Sequence, residues 1–155
     1  MDLLIEEMKK LHEKNEFSKT ITENYYEPGM MENQNEYDGY YDATNNEMTL
    51  IFDVKGTRYD NRSGILENIH LGDEITLRRD PGNQYNENNF EVFSSLGKIG
   101  EMPAHLCNVI APEFDCGNLC FKSCKVNYIE PLSKRNRYAT KAVVFIKLVL
   151  RYPLM

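Results

Sequence analysis

Apolar side chains fall into three regimes along this chain. In the first fifteen residues Leu4, Met8 and Leu11 recur at helical spacing, with Leu3 and Ile5 beside them and charged residues between. That spacing predicts a short amphipathic helix. Its acids precede its lysines, the order the helix dipole favours. From Ser18 to Met48 aliphatic residues almost vanish, and Glu, Asp, Asn and Tyr take over. Such a segment cannot bury enough apolar surface to order itself alone. From Thr49 onward the apolar positions come in short alternating runs separated by Gly, Pro and Asn, the pattern of an all-β domain.

Within that domain Leu50 to Val54 reads as a strand ended by Gly56, and Asn61-Arg62-Ser63-Gly64 as a turn. Asp73 to Arg79 alternates inward Ile75 and Leu77 with polar neighbours. Asp80-Pro81-Gly82-Asn83 reverses the chain, and Phe90 to Phe93 starts the next strand. Leu96 to Glu101 is a short strand pinned by glycines. Pro103 suits the first position of a helix running to about Ile110 and stopping before Pro112. Leu119 to Tyr128 and Thr140 to Tyr152 supply two closing strands around the basic turn Ser133-Lys134-Arg135-Asn136-Arg137. The expectation is a mainly β chain. Residues 49–152 form a small six-stranded, partly open barrel of the OB or SH3 kind with one short helix, and residues 1–48 form a helix and acidic extension.

Charge sharpens this division. The formal net charge is -6, but residues 1–48 carry four Lys against twelve acids, while residues 49–155 carry fourteen Lys or Arg against twelve acids. The acidity belongs to the extension, so the global pI says little about what the domain binds. The longest apolar run, Ala142 to Leu150, is interrupted by Lys147 and is far shorter than the roughly 20 residues that cross a bilayer. No stretch reads as a signal peptide, so a soluble cytoplasmic protein without a membrane partner is expected. Cys107, Cys116, Cys120 and Cys124 are expected to be reduced thiols. Their spacing lacks the two separated pairs of a zinc ribbon, and Cys120 and Cys124 fall on one face of a predicted strand, so no metal site is expected.

Three ordered segments resemble the HIRAN domain family. The first is Val54-Lys55-Gly56-Thr57-Arg58-Tyr59. The second runs from Gly72-Asp73 through the alternating strand to Arg79-Asp80-Pro81-Gly82-Asn83-Gln84-Tyr85-Asn86-Glu87-Asn88, then an apolar strand. The third is Gly97-Lys98-Ile99-Gly100-Glu101-Met102-Pro103 before the helix. The resemblance spans about two-thirds of the chain and implies a small β-barrel whose DNA-binding members hold the 3′ end of a single strand. It assigns Arg58, Tyr59, Asn83 and Tyr85 to that site. Arg offers charge-assisted bonds to phosphate, and Tyr a stacking face worth about 1–3 kcal/mol per base. Three positions depart from the binding pattern. Asn86 stands where such members have an Asp that accepts from the 3′-hydroxyl; Glu101 and Ala104 stand where basic side chains contact phosphate. Lys55, Lys98, Arg78, Arg79 and the basic turn of Lys134, Arg135 and Arg137 are the cations that would compensate.

The functional expectation is a non-enzymatic nucleic-acid-binding module for single-stranded DNA or its 3′ end, in DNA repair or processing. The sites are Arg58, Tyr59, Asn83, Tyr85, Asn86 and Lys98. It needs no cofactor, and a separately encoded helicase or nuclease would supply catalysis, because family members draw catalysis from attached domains. The alternative is a protein-interaction or homo-oligomerisation module, with the acidic extension covering the barrel groove or a second copy. An enzyme is the weakest reading: His12, His70 and His105 are scattered, Ser94 and Ser95 lack a nucleophile-elbow context, and no P-loop or HExxH string is present.

Overall fold

A computed structural model describes residues 37–152. The amphipathic helix expected near the N-terminus lies outside the described residues. The strands, in chain order, are β1 (Tyr37–Asp42), β2 (Glu47–Asp53), β3 (Thr76–Arg79), β4 (Phe90–Ser94), β5 (Gly97–Glu101), β6 (Cys120–Glu130) and β7 (Val143–Arg151). Two α-helices accompany them, α1 (Arg62–Leu66) and α2 (Ala104–Asp115). All strand pairs are antiparallel, in a four-stranded sheet β1-β2-β7-β6 and a three-stranded sheet β3-β4-β5.

The mainly β expectation holds, but a single closed barrel does not form. The sheets touch through two isolated bridges, Lys55 with Glu101 and Glu74 with Lys125. Past the Glu74–Lys125 bridge the edges of β3 and β6 separate, leaving a cleft bounded by Thr76, Leu77, Phe121 and Ser123. β3 is only four residues long, too short to follow β6 along its length. One hydrophobic core fills the space between the sheets, with Phe52, Leu66, Phe90, Ile99, Leu106, Ile110, Ile146 and Leu148 wholly buried.

The N-terminal hairpin is the largest addition to the expected strand set. No strand was placed in the acidic extension, which was expected only to be unable to order itself alone; Tyr37–Asp42 pairs along the whole of β2, from Tyr37 opposite Phe52 to Asp42 opposite Glu47. A strand fits here because Tyr37 drops into the core, completely buried and stacked on His105 of α2 at 5.8 Å between centroids. Asp42 then closes the turn by accepting from the Thr44 and Asn45 N–H groups.

Asp38, on the same strand, is buried, and this pushes its carboxyl up to about 6 against the opposing effect of the Gly39 N–H it accepts. Because the folded value lies above the ordinary 3.8, this group's contribution to stability is greatest below pH 4. It is lost as pH rises through 6. Chemical denaturation from pH 4 to 7.5 should therefore show a falling unfolding free energy that Asp38→Asn flattens. An unchanged pH slope in that variant would contradict the assignment.

Two further differences have local causes. Helix α2 does not stop before Pro112 but runs through it to Asp115. Proline removes one intrahelical bond, while the last turn is held by Phe114, whose ring lies 5.3 Å from Phe90 and 4.9 Å from Phe121. Cys120 and Cys124 do not share a face. The β6–β7 register shifts between Phe121 and Ser123, and the extra residue inverts the alternation. Phe121 and Cys124 pack against the core while Cys120 is exposed opposite Arg151.

Candidate nucleic-acid interface

The first bridge, beside β5, brings the suspected binding residues together. Lys55 N–H donates to Glu101 O at 2.9 Å, and Glu101 N–H to Lys55 O at 2.8 Å. Immediately after Lys55 the chain turns at Gly56, whose φ of 73° falls in the left-handed region that glycine adopts without strain. The segment that follows carries Tyr59 to the rim of a groove of about 720 Å³, with Arg58 against the Tyr59 ring. The opposite rim is the β3–β4 turn with Asn83, Tyr85 and Asn86, and the floor includes Arg62, Glu101, Met102 and Ala104.

Both tyrosines are strongly exposed, Tyr59 at 53% and Tyr85 at 88%. Burial does not explain such rings, so what fixes their backbones matters. Asn83 Oδ1 accepts the N–H of Tyr85 at 2.9 Å and of Asn86 at 3.0 Å, an Asx turn that presents the Tyr85 ring outward. Asn83 is itself anchored, its Nδ2 donating to Asp80 Oδ2 at 3.1 Å. On the other rim, Arg58 Nη2 donates to the Tyr59 hydroxyl at 3.0 Å, with its guanidinium carbon 5.1 Å from the ring centroid.

Glu101, read from sequence as a carboxylate that would repel phosphate, has both oxygens committed. Arg62 Nη1 donates to Oε2 at 3.0 Å, and Lys98 Nζ lies 2.5 Å from Oε1. Lys98 also reaches Glu91 at 2.8 Å, and Arg78 lies 3.6 Å from that carboxylate. Burial lowers the Lys98 pKa, but its bonds to Glu101 and Glu91 outweigh this and raise it. Lys98 thus stands behind the groove floor and compensates Glu101, while Tyr59, Asn83, Tyr85 and Asn86 line the groove; Arg58 sits at its edge on Tyr59.

Asn61-Arg62-Ser63-Gly64, expected as a turn, instead opens helix α1, and Arg62 went unnoticed in the sequence because a lone arginine in such a segment carries no pattern. Its side chain is almost buried, and Nη1 also donates to Gly56 O at 2.8 Å. It ties the Tyr59 segment to the groove floor. Arg62→Ala should cost about 2–3 kcal/mol, the range for charged hydrogen bonds whose acceptors are left behind. Denaturant titration reads this loss; a change below about 0.5 kcal/mol, the usual size of an unspecific surface substitution, would contradict that role.

Asn108, and Tyr138 beside the basic turn already noted, were also missed. Asn108 Oδ1 on α2 accepts from Asn86 Nδ2 at 3.1 Å and Asn88 Nδ2 at 3.3 Å. Asn136 Oδ1 accepts the Tyr138 N–H at 2.9 Å, repeating the Asn83–Tyr85 arrangement. Arg137 Nη2 meets the Tyr138 hydroxyl at 2.7 Å, its guanidinium carbon 4.8 Å from the ring centroid, as Arg58 meets Tyr59. The Thr57 hydroxyl donates to Ala142 O at 3.0 Å, tying the return of this loop to the residue before Arg58.

The sequence profile of the HIRAN domain matches residues 48–149. The chain belongs to the HIRAN domain family. The matched HIRAN region runs from β2 into β7 and leaves β1 before it. Similar solved structures include a protein from Lactobacillus plantarum, 21% identical with a TM-score of 0.51, covering 66% of this chain and 92% of that one. The crystal structure of the HIRAN domain of human HLTF is 18% identical with a TM-score of 0.49, covering 67% and 76%. The NMR structure of the HLTF HIRAN domain in its DNA-bound conformation is 18% identical with a TM-score of 0.42, covering 67% and 75%. At such identity the likeness to the L. plantarum protein is one of fold alone. No curated protein matches the chain.

Among the described residues no helix is long and apolar enough to cross a membrane, and no group of three or more His, Cys, Asp or Glu is placed to hold a metal. Cys107 is buried with its thiol pushed up to about 11 by that burial, which makes it a poor nucleophile. No described residue before Glu47 lines the groove.

Proposed function

We propose that this HIRAN domain is a non-enzymatic module that binds single-stranded DNA at its 3′ end, in DNA repair or processing. The observation that carries the reading is the pair of exposed rings, Tyr59 and Tyr85, on opposite rims of one groove, each with its backbone or hydroxyl held by hydrogen bonds. Rings held exposed in this way are suited to stacking on bases, which is tolerant of sequence. Arg58 supplies a guanidinium for phosphate at the same rim. Asn83 positions Tyr85, and Asn86 offers its amide to the terminal nucleotide. Lys98 acts indirectly, by cancelling the charge of Glu101.

Tyr138, a third exposed ring with its own arginine, offers a further stacking face for nucleotides beyond the terminal ones. Catalysis on the bound end falls to a helicase or nuclease partner. The neutralised Glu101 removes the main electrostatic objection to phosphate in this groove.

Fluorescence anisotropy with single-stranded oligonucleotides tests the proposal. One set has a free 3′ end and the other has that end closed by a hairpin. The free-ended set should bind more tightly, and affinity should fall steeply with salt. No binding by either set at low salt would overturn the reading.

A further inference from the structure

The face of the four-stranded sheet that points away from the core is itself buried at its centre. Side chains alternate along a strand, so the residue between Leu50 and Phe52, both core residues, faces the other way. That residue is Ile51, with Asp38 opposite it on β1 and Lys147 opposite it on β7. Phe145, next to the core residue Ile146, shares this outer face, its ring centroid 5.7 Å from that of Tyr128. Ile51 is wholly buried and Phe145 nearly so, yet they form a cluster apart from the core. Among the described residues, the apolar side chains packed on them are Tyr128 and Val143 of the same sheet.

Neighbours within a sheet shield a side chain from the flanks but not from above. A fully buried sheet face takes a second layer, stacked about 10 Å away. The depth of burial says where that layer lies. It is greatest beside β1, where Asp38 and Thr49 are buried along with Ile51. On the β6 side of the same face Cys120 and Lys125 are exposed. The chain enters at the covered side: Tyr37 opens β1, and Asp38, directly after it, stands against Ile51. Residues 1–36 precede that point and carry Leu4, Met8, Leu11, Phe17 and Ile21. Ile51 and Phe145 reach their burial within a single chain, so a second copy is not needed to cover them.

We infer that residues 1–36 fold back from Tyr37 over the outer face of this sheet and seat apolar side chains on Ile51 and Phe145. The extension is then a layer of the domain, neither a cover for the groove nor an arm for a second copy. None of the residues lining the groove comes from β1, β2, β6 or β7, so a segment docked on this face leaves Tyr59 and Tyr85 accessible. The inference is independent of what the groove binds.

Hydrogen exchange of the full chain, with light scattering for its mass, tests this. Part of residues 1–36 should exchange at least about tenfold more slowly than an unstructured chain, in a monomer and at every protein concentration. Ile51→Thr together with Phe145→Thr keeps good strand formers but removes the apolar seat. Protection in residues 1–36 should then fall to the unstructured rate, while that of α2 and β5 is retained. Exchange of the whole extension at the unstructured rate in wild type, protection that survives in the folded variant, or protection found only in a dimer overturns the inference. Where the variant does not fold, cross-linking of the wild-type chain decides. A short amine-reactive reagent should join at least one of Lys9, Lys10, Lys14 and Lys19 to Lys147 or Lys125 within one chain. Links to Lys98 behind the groove floor instead, links only between isotopically distinct chains, or no links overturn it.

Discussion

Gly100→Ala should destabilise the domain by about 3–5 kcal/mol and abolish oligonucleotide binding together with it. A Cβ built at Gly100 would lie 2.2 Å from Lys55 O and 2.5 Å from Val54 Cγ1. One of these contacts is backbone, so no rotamer change relieves it. The two strands must separate, breaking the reciprocal Lys55–Glu101 hydrogen bonds. Overpacking typically costs about 1–3 kcal/mol, and each lost bond adds about 1 kcal/mol. For a domain of this size that lowers the melting temperature by on the order of 10–20 °C. The groove fails with the bridge because Glu101, Met102 and Ala104 form part of its lining. Gly64 is the control. It sits in α1 with open space around it, and Gly64→Ala should be neutral or stabilise by about 0.4–1 kcal/mol. Thermal melts of the two variants side by side check both statements. A Gly100→Ala protein that melts within 2 °C of wild type, less than about 1 kcal/mol would produce, contradicts the close backbone approach assigned to this contact.

The second large effect concerns affinity rather than stability. Replacing Tyr59 and Tyr85 together by alanine should weaken single-strand binding by roughly 10²–10³-fold, from about 1–3 kcal/mol per stacked base. Stability should barely change, since both rings are exposed and neither belongs to the core. Tyr85→Phe keeps the stacking face and should bind nearly as wild type. Tyr59→Phe removes the hydroxyl that meets Arg58 and should cost somewhat more. Salt dependence separates the contributions: aromatic removal leaves the slope of log affinity against log salt unchanged, whereas Arg58→Ala reduces it by about one phosphate contact. Anisotropy titrations across salt concentrations read both. An unchanged affinity in the double variant would leave the groove without its stacking platform.

How far the sequence foretold this structure depends on where the determining contacts lie. Strands β2 to β7 are visible because their alternation is local, as in Ile75 and Leu77 between polar neighbours. β1 is not visible, because Tyr-Asp-Gly-Tyr-Tyr-Asp has the composition of a loop and becomes a strand only through Tyr37 in a distant core and the open edge of β2. The bulge between Phe121 and Ser123 is equally hidden, since a one-residue insertion leaves no mark on composition but moves Cys120 to the surface. At the site, the ordered motifs located Tyr59, Asn83, Tyr85 and Asn86 before any geometry was known, and all four line one groove. What they did not convey is the compensation of charge. Glu101 looks hostile to phosphate as a letter in a string and is neutralised in space by Arg62, thirty-nine positions away.

The central claim is that single-stranded DNA lies between Tyr59 and Tyr85. It is tested most directly by titrating isotopically labelled protein with a short single-stranded oligonucleotide and following its amide and tyrosine-ring NMR resonances. The account predicts that the largest changes fall on Tyr59, Asn83, Tyr85 and Asn86, with smaller ones at Arg58 and Tyr138. Changes centred instead on the cleft lined by Leu71, Ile129 and Lys134, or none at all at low salt, would contradict it.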